Sequence, residues 1–249
     1  MSIDINISSI CYGKKRAIAG VRASLPDGSF TALIGRNGSG KSTLVGALLS
    51  LVNYEGEISY DARSSRTMNA RERACAVSGI LQRLKTPHIT VEELVCFGRN
   101  PYCSLRRPTP NDLTVVEHAI ASADVVGLRG AYLDEISGGE LKRAYFAMLL
   151  AQDTKNIILD EATAFMDSDY ENAFLRLVKS LASEHGKTVI AVVHSLELAV
   201  KYADNILVLD KGRQTFFGDV SSALDNSVIE NSFGLVRIDT HGRSFFCAK

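Results

Sequence analysis

Between Gly35 and Ser42 the chain reads GRNGSGKS, a spacing of the form G-x-x-x-x-G-K-[ST]. Glycines in that run let the backbone curl until successive N–H groups face one point, and a chain of phosphates is the ligand such a nest suits. Lys41 would reach the β and γ oxygens of a nucleoside triphosphate, and the Ser42 hydroxyl could ligate Mg²⁺. Arg36, Asn37, Gly38, Ser39, Gly40 and Thr43 complete the candidate cradle. A second run, ISGGELKR, would open a helix and leave the N–H groups of Ser137, Gly138 and Gly139 bare, where the helix dipole also favours an anion.

Two acids and two polar residues join the cradle. In NIILDE, Asp160 and Glu161 close a buried apolar run. One carboxylate there can hold the shell of a Mg²⁺ ion, and the next can orient or deprotonate the water that attacks the γ-phosphate. His194 ends TVIAVVH and Gln82 follows SGIL. A lone strand-end histidine is more often a structural residue and Gln82 alone is unremarkable, but strand ends converge on the ligand side of an open α/β sheet, and two polar residues there beside a phosphate loop point to the site.

The elements that must position these residues follow from the pattern of apolar residues. INISSICYG, VRASL and SFTALIG read as short strands separated by turn residues. KSTLVGALLSLV reads as a helix with Leu44, Leu48, Leu49 and Val52 on one face, and strand character resumes in GEISYDA and CAVSGILQ. From Thr90 the character is helical. Thr90 and Glu93 form a capping-box pattern, RRPTPNDL is a cluster of breakers, and VVEHAIASADVVGL is a helix stopped at Gly127. SGGELKRAYFAMLLAQ is another helix. NIILD, TVIAVVH and NILVLD then alternate with the helices YENAFLRLVKSLASEHG and LELAVKYA, and VRIDTHGRSFFC reads as a closing hairpin. This alternation predicts a parallel sheet covered by helices, with the helical stretch inserted as a second lobe.

Composition sets the outer bounds. The 249 residues are 46% hydrophobic and 22% charged with zero formal net charge, so the chain is an ordinary globular one. No basic stripe is present to neutralise a nucleic-acid backbone, and none is expected as a partner. Five scattered cysteines without a C-x-x-C pair predict free thiols in a reducing compartment. MSIDINISSI lacks a basic segment leading into an apolar one, and no run approaches the length of a membrane span, which predicts a cytoplasmic protein.

In this order, the residues resemble the nucleotide-binding subunit of ABC transporters over essentially the whole chain. GRNGSGKS matches the Walker A loop, Gln82 the Q-loop residue, ISGGE the signature sequence, IILDE the Walker B strand, Asp167 the D-loop aspartate and His194 the switch histidine. The resemblance implies a single ATPase domain with a P-loop (RecA-like) α/β core, an N-terminal antiparallel β subdomain and an inserted α-helical subdomain. Residues 1–83 and 155–249 would form the core with the β subdomain, and 84–154 the helical subdomain. It further implies a head-to-tail dimer in which ATP lies between one chain's Walker A loop and the other's Ser137, Gly138, Gly139 and Glu140. Asp167 would border that interface, Tyr12 would stack on adenine, and Gln82 would link Mg²⁺ to a membrane subunit.

FGRNPY (97–102) and AMLLAQDT (147–154) are similar to segments of importer ATPases for ferric siderophores, haem and cobalamin. The implied partners are integral membrane permeases and, indirectly, an extracytoplasmic substrate-binding protein, with the ATPase at the cytoplasmic face of the membrane. Another ABC importer, for instance of a metal ion, or a soluble ABC ATPase are the alternatives. Four positions depart from the family pattern. Ala162 replaces a proline, Met166 a leucine, Ser195 an aspartate and Ile136 a leucine. Ser195 takes away the carboxylate that usually supports the switch histidine.

Overall fold

The computed structural model describes residues 3–103, 108–161, 168–240 and 243–248. Alternation in β1 (Ile3–Tyr12) sets up the first layer. Ile3, Ile5 and Ile7 are buried while the residues between them face outward. Around β1 an antiparallel sheet forms from β2 (Lys15–Ile18), β3 (Val21–Leu25) and β5 (Glu55–Tyr60), extended by β6 (Arg63–Ser64).

Continuous apolar runs build the second sheet, because both its faces are covered. Five strands lie parallel: β4 (Phe30–Ile34), β7 (Val77–Ile80), β8 (Asn156–Leu159), β9 (Thr188–Val192) and β10 (Asn205–Asp210). Their order is β10-β4-β9-β8-β7, with β11 (Arg213–Asp219) antiparallel on the edge beyond β10. Alternate residues serve opposite cores. Leu33, Ile158, Ile190 and Leu207 pack with Leu44 and Leu48 of α1 (Lys41–Leu48) and with the isoleucines of β1. Phe30, Ala32, Ile157 and Val189 pack instead with α6 (Ser168–Ser183), α7 (Leu196–Tyr202) and the helical lobe.

That lobe contains α3 (Val91–Phe97), α4 (Pro110–Ser122) and α5 (Gly138–Gln152), preceded by the short α2 (Ala70–Ala76). The chain continues through α8 (Val220–Asp225) and α9 (Val228–Phe233) into the hairpin of β12 (Leu235–Thr240) and β13 (Arg243–Ala248). Thr90 and Glu93 cap α3 reciprocally, as their spacing predicts. The motifs FGRNPY and AMLLAQ meet inside the lobe. A Cβ on Gly98 would lie 2.4 Å from the Met148 carbonyl oxygen, so only glycine permits this approach of the chain to α5. Arg99 is buried, pairs with Asp112 at 2.9 Å and donates to the Ala151 carbonyl at 2.8 Å.

Several boundaries differ from expectation. α1 stops at Leu48 because Ser50 turns into the left-handed region (φ 57°), which leaves Val52 beyond the helix, although it still packs on that core. The apparent breaker cluster is in fact a helix start, with Thr109 as N-cap and Pro110 in the first turn, where its missing N–H costs nothing. The same helix ends at Ser122 rather than at Gly127, since Asp124 adopts φ 53°. Cys75 and Ala76 belong to α2, so β7 begins at Val77.

Candidate active site

The phosphate loop leaves β4 and enters α1 with no room for side chains at two turns. A Cβ on Gly35 would sit 2.3 Å from the Leu209 carbonyl oxygen. Gly40, the residue before the helix, has φ 104°, a conformation that favours glycine. Lys41 folds back onto the loop, donating from Nζ to the Gly35 carbonyl at 2.8 Å and the Arg36 carbonyl at 3.3 Å. Burial lowers the affinity of its amine for a proton, and the charges of Glu161 and Asp160 oppose that effect. Ser39 Oγ is buried without a hydrogen-bond partner.

Three neighbouring parallel strands deliver the catalytic candidates. Gln82, Glu161 and His194 each stand two residues past the last residue of β7, β8 and β9; the strand register sets Gln82 level with Glu161, and His194 one residue beyond the position opposite Glu161. The Glu161 carboxylate accepts a hydrogen bond from Gln82 Nε2 and lies 2.8 Å from His194 Nε2. Its backbone is left-handed, φ 51°, a strain that a glutamate adopts at a cost of about 1 kcal/mol or more. Asp160 is 3% exposed, and its Oδ1 accepts from Ser42 Oγ at 3.3 Å. Burial pushes this carboxyl above its ordinary value, against the hydrogen bond from Ser42.

Lys41, Ser42, Thr43, Gln82, Glu161 and His194 open into one cleft of about 780 Å³, with Tyr12 at its other end. A smaller cavity of about 220 Å³, between α4, α5 and α6, contains none of these groups. Arg36 points away from the cleft, donating to the Phe233 carbonyl at 2.8 Å. Lys15, Arg16 and Lys211 also line the cleft and were not legible as site residues. Lys15 and Arg16 come from β2 and Lys211 from the turn after β10, and only the fold sets these side by side, with Ala19 donating to the Gly212 carbonyl at 2.6 Å. The basic run KKR was the one available signal.

The second cradle lies elsewhere. Ser137 caps α5 in a reciprocal box, accepting from the Glu140 N–H while the Glu140 carboxylate accepts from the Ser137 N–H at 2.8 Å and from its Oγ at 2.7 Å. Those hydrogen bonds from Ser137 hold the Glu140 carboxyl below its usual range. Gly138 and Gly139 face open space, and none of Ser137, Gly138, Gly139 or Glu140 lines the cleft. Asp167, Ala162 and Met166 lie outside the described residues. Ser195 has a structural duty of its own, as the N-cap of α7 accepting from Leu198 N–H. Ile136 is partly buried against the larger core.

A glycine-lined phosphate loop facing strand-end acids on a parallel sheet defines a P-loop nucleotide hydrolase. The ABC transporter family model matches residues 18–164, and the chain belongs to that family as an ATP-binding and ATP-hydrolysing cassette. It is 33% identical over 236 residues to the petrobactin import ATP-binding protein YclP of Bacillus subtilis, covering 94% of this chain and 93% of that protein. Identity to the ferric enterobactin transport ATP-binding protein FepC of Escherichia coli is 35% over 227 residues, covering 90% and 84%. The fold is shared with the ATP-binding cassette MJ0796, solved as a dimer in a post-hydrolysis state with ADP and phosphate (TM-score 0.77, 21% identity, 88% of this chain and 98% of that one). Among the described residues no helix is long and apolar enough to cross a membrane.

Proposed function

We propose that this protein hydrolyses ATP to power import of an iron chelate, that is a siderophore complex or haem, or of a corrinoid, through separate membrane permease subunits. The observation that carries the ATPase assignment is the convergence of Lys41, Ser42, Gln82, Glu161 and His194 in one cleft, with Asp160 bonded to Ser42 behind them. Iron-siderophore cargo is supported by relatives named for petrobactin and ferric enterobactin.

In this reading Lys41 exchanges its two loop carbonyls for the β and γ oxygens of ATP, and the loop N–H groups cradle the phosphates. Tyr12 stacks on the adenine. The Ser42 hydroxyl and Asp160 carboxylate, already in contact, form the all-oxygen set that suits Mg²⁺, and Gln82 can add its amide oxygen. Magnesium bound there would neutralise charge on the phosphates. Glu161 is engaged by Gln82 and His194, so its carboxylate must be released before it can orient or deprotonate the attacking water. His194 then contacts the γ-phosphate. A second copy of the chain supplies Gly138, Gly139 and their flanking residues to the same nucleotide, with Asp167 at the interface. The assembly sits at the cytoplasmic face of the membrane, served by an extracytoplasmic binding protein.

The test joins biochemistry to uptake. The purified chain should hydrolyse ATP only with Mg²⁺, and deleting its gene should abolish growth on one of the three iron or corrinoid sources. Restoration should require an intact Lys41. Normal uptake of all three, with loss of a sugar, a peptide or a free metal ion instead, would overturn the cargo assignment.

A further inference from the structure

Two hydrogen bonds tie the C-terminal segment to the catalytic cleft from opposite ends. Arg36, inside the phosphate loop, donates to the Phe233 carbonyl at 2.8 Å, one residue before the left-handed turn at Gly234 that begins β12. From the other strand of the hairpin, the Phe246 N–H donates to Glu197 Oε1 at 3.3 Å. The second oxygen of that carboxylate accepts from Ser195 Oγ, also at 3.3 Å. Ser195 is the residue after His194. The hairpin is anchored as well as attached. Leu235 and Phe246 pack on the core that contains Leu196 and Ala199 of α7, and Arg237 donates to the Leu224 carbonyl at 2.9 Å.

We infer that this hairpin braces the ATPase site and that Glu197 is a positioning residue for His194. His194 is 45% exposed at its side chain and is held by Glu161. Catalysis requires that contact to break. The orientation of the imidazole then depends on how the His194–Ser195 segment is held, and Glu197 links the Ser195 hydroxyl of that segment to the Phe246 N–H of β13. The family pattern places an aspartate where this chain has Ser195. The Ser195–Glu197 contact returns a carboxylate to the same stretch from two residues further on. Arg36, fastened to Phe233, keeps the loop in shape and leaves the phosphates to Lys41.

The inference rests on the ATPase reading, so wild-type Mg²⁺-dependent hydrolysis is measured first; its absence counts against that reading and not specifically against the brace. With wild type active, Glu197→Ala should lower kcat roughly ten-fold or more with KM within about two-fold, the pattern of a mispositioned catalytic group. Glu197→Gln keeps one oxygen to accept from the Phe246 N–H and turns the other contact round, its amide N–H donating to Ser195 Oγ, and should restore at least about half of the activity. In the full-length chain Phe246→Pro removes the N–H donor and should lower kcat similarly, and adding Glu197→Ala to it should cost little more, because both changes cut the same hydrogen bond. Arg36→Ala should raise KM about five-fold or more, with Arg36→Lys intermediate. Melting temperatures identify any variant that fails to fold, and the Arg36 pair then decides. Wild-type kinetics in folded Glu197→Ala, multiplicative losses in the combined variant, or an unchanged KM in Arg36→Ala would each overturn the brace.

Discussion

Glu161 combines a strained backbone with an engaged carboxylate. Its left-handed φ of 51° aims the side chain across the ends of three strands, and Gln82 and His194 both grip it. Ser50 and Asp124 adopt the same left-handed conformation where helices end, whereas at Glu161 it coincides with a carboxylate held by two neighbouring strand ends. Glu161→Gln preserves the shape of the side chain but removes the carboxylate proposed as the base. It should bind MgATP as tightly as wild type while hydrolysis falls by about 10²–10⁴. Equilibrium binding of a fluorescent ATP analogue and single-turnover hydrolysis check the two halves, and near-normal turnover would reassign the base. These residues were legible because motif and chain position coincide: GRNGSGKS and IILDE each sit where a strand ends. Lys15, Arg16 and Lys211 were not, since their place in the cleft depends on two segments far apart in the chain.

Among the elements, the helical lobe depends on one buried ion pair. Arg99 leaves the end of α3, meets Asp112 in the first turn of α4, and reaches the carbonyl of Ala151 in α5, so one side chain links three helices. The caps of α3 and α5 are legible in the sequence, whereas the start of α4 reads as a break because two prolines flank Thr109 there. The lone buried arginine in FGRNPY carried no sign of its partner. Removing it leaves Asp112 buried and unpaired, so Arg99→Ala should destabilise the protein by about 3–5 kcal/mol in urea unfolding. Asp112 also makes the lobe sensitive to acid. Hydrogen bonds from the Thr109 hydroxyl and N–H, then Arg99, hold its carboxyl down to about 2. A folded-state value below the unfolded 3.8 means that the carboxylate stabilises the fold above that pH and ceases to as pH falls towards 2. Thermal melts of wild type and Asp112→Asn should therefore differ most near neutral pH and converge in acid. A constant gap would remove Asp112 from the acid response.

At the scale of the whole molecule, each chain holds one cleft and one glycine-rich helix start that does not line it. In the proposed head-to-tail pair both would have a use, Gly138 and Gly139 of one chain covering the phosphates in the cleft of the other. Gly139 suits a test, because a Cβ there meets nothing within 4 Å among the described residues, so Gly139→Asp adds a negative charge to the proposed phosphate side without crowding them. In a Glu161→Gln background that retains ATP, one chain carries Lys41→Ala and its differently tagged partner carries Gly139→Asp. If the glycines serve the nucleotide of their own chain, neither chain has a whole site and the mixed dimer retains nothing. If they act across the interface, one site has both lesions and the other pairs an intact loop with an intact helix start. The purified heterodimer should then hold about half the radiolabelled ATP of the unmutated pair, since one phosphate loop binds one nucleotide. Retention no greater than that of either single variant would exclude the glycines from the partner's site.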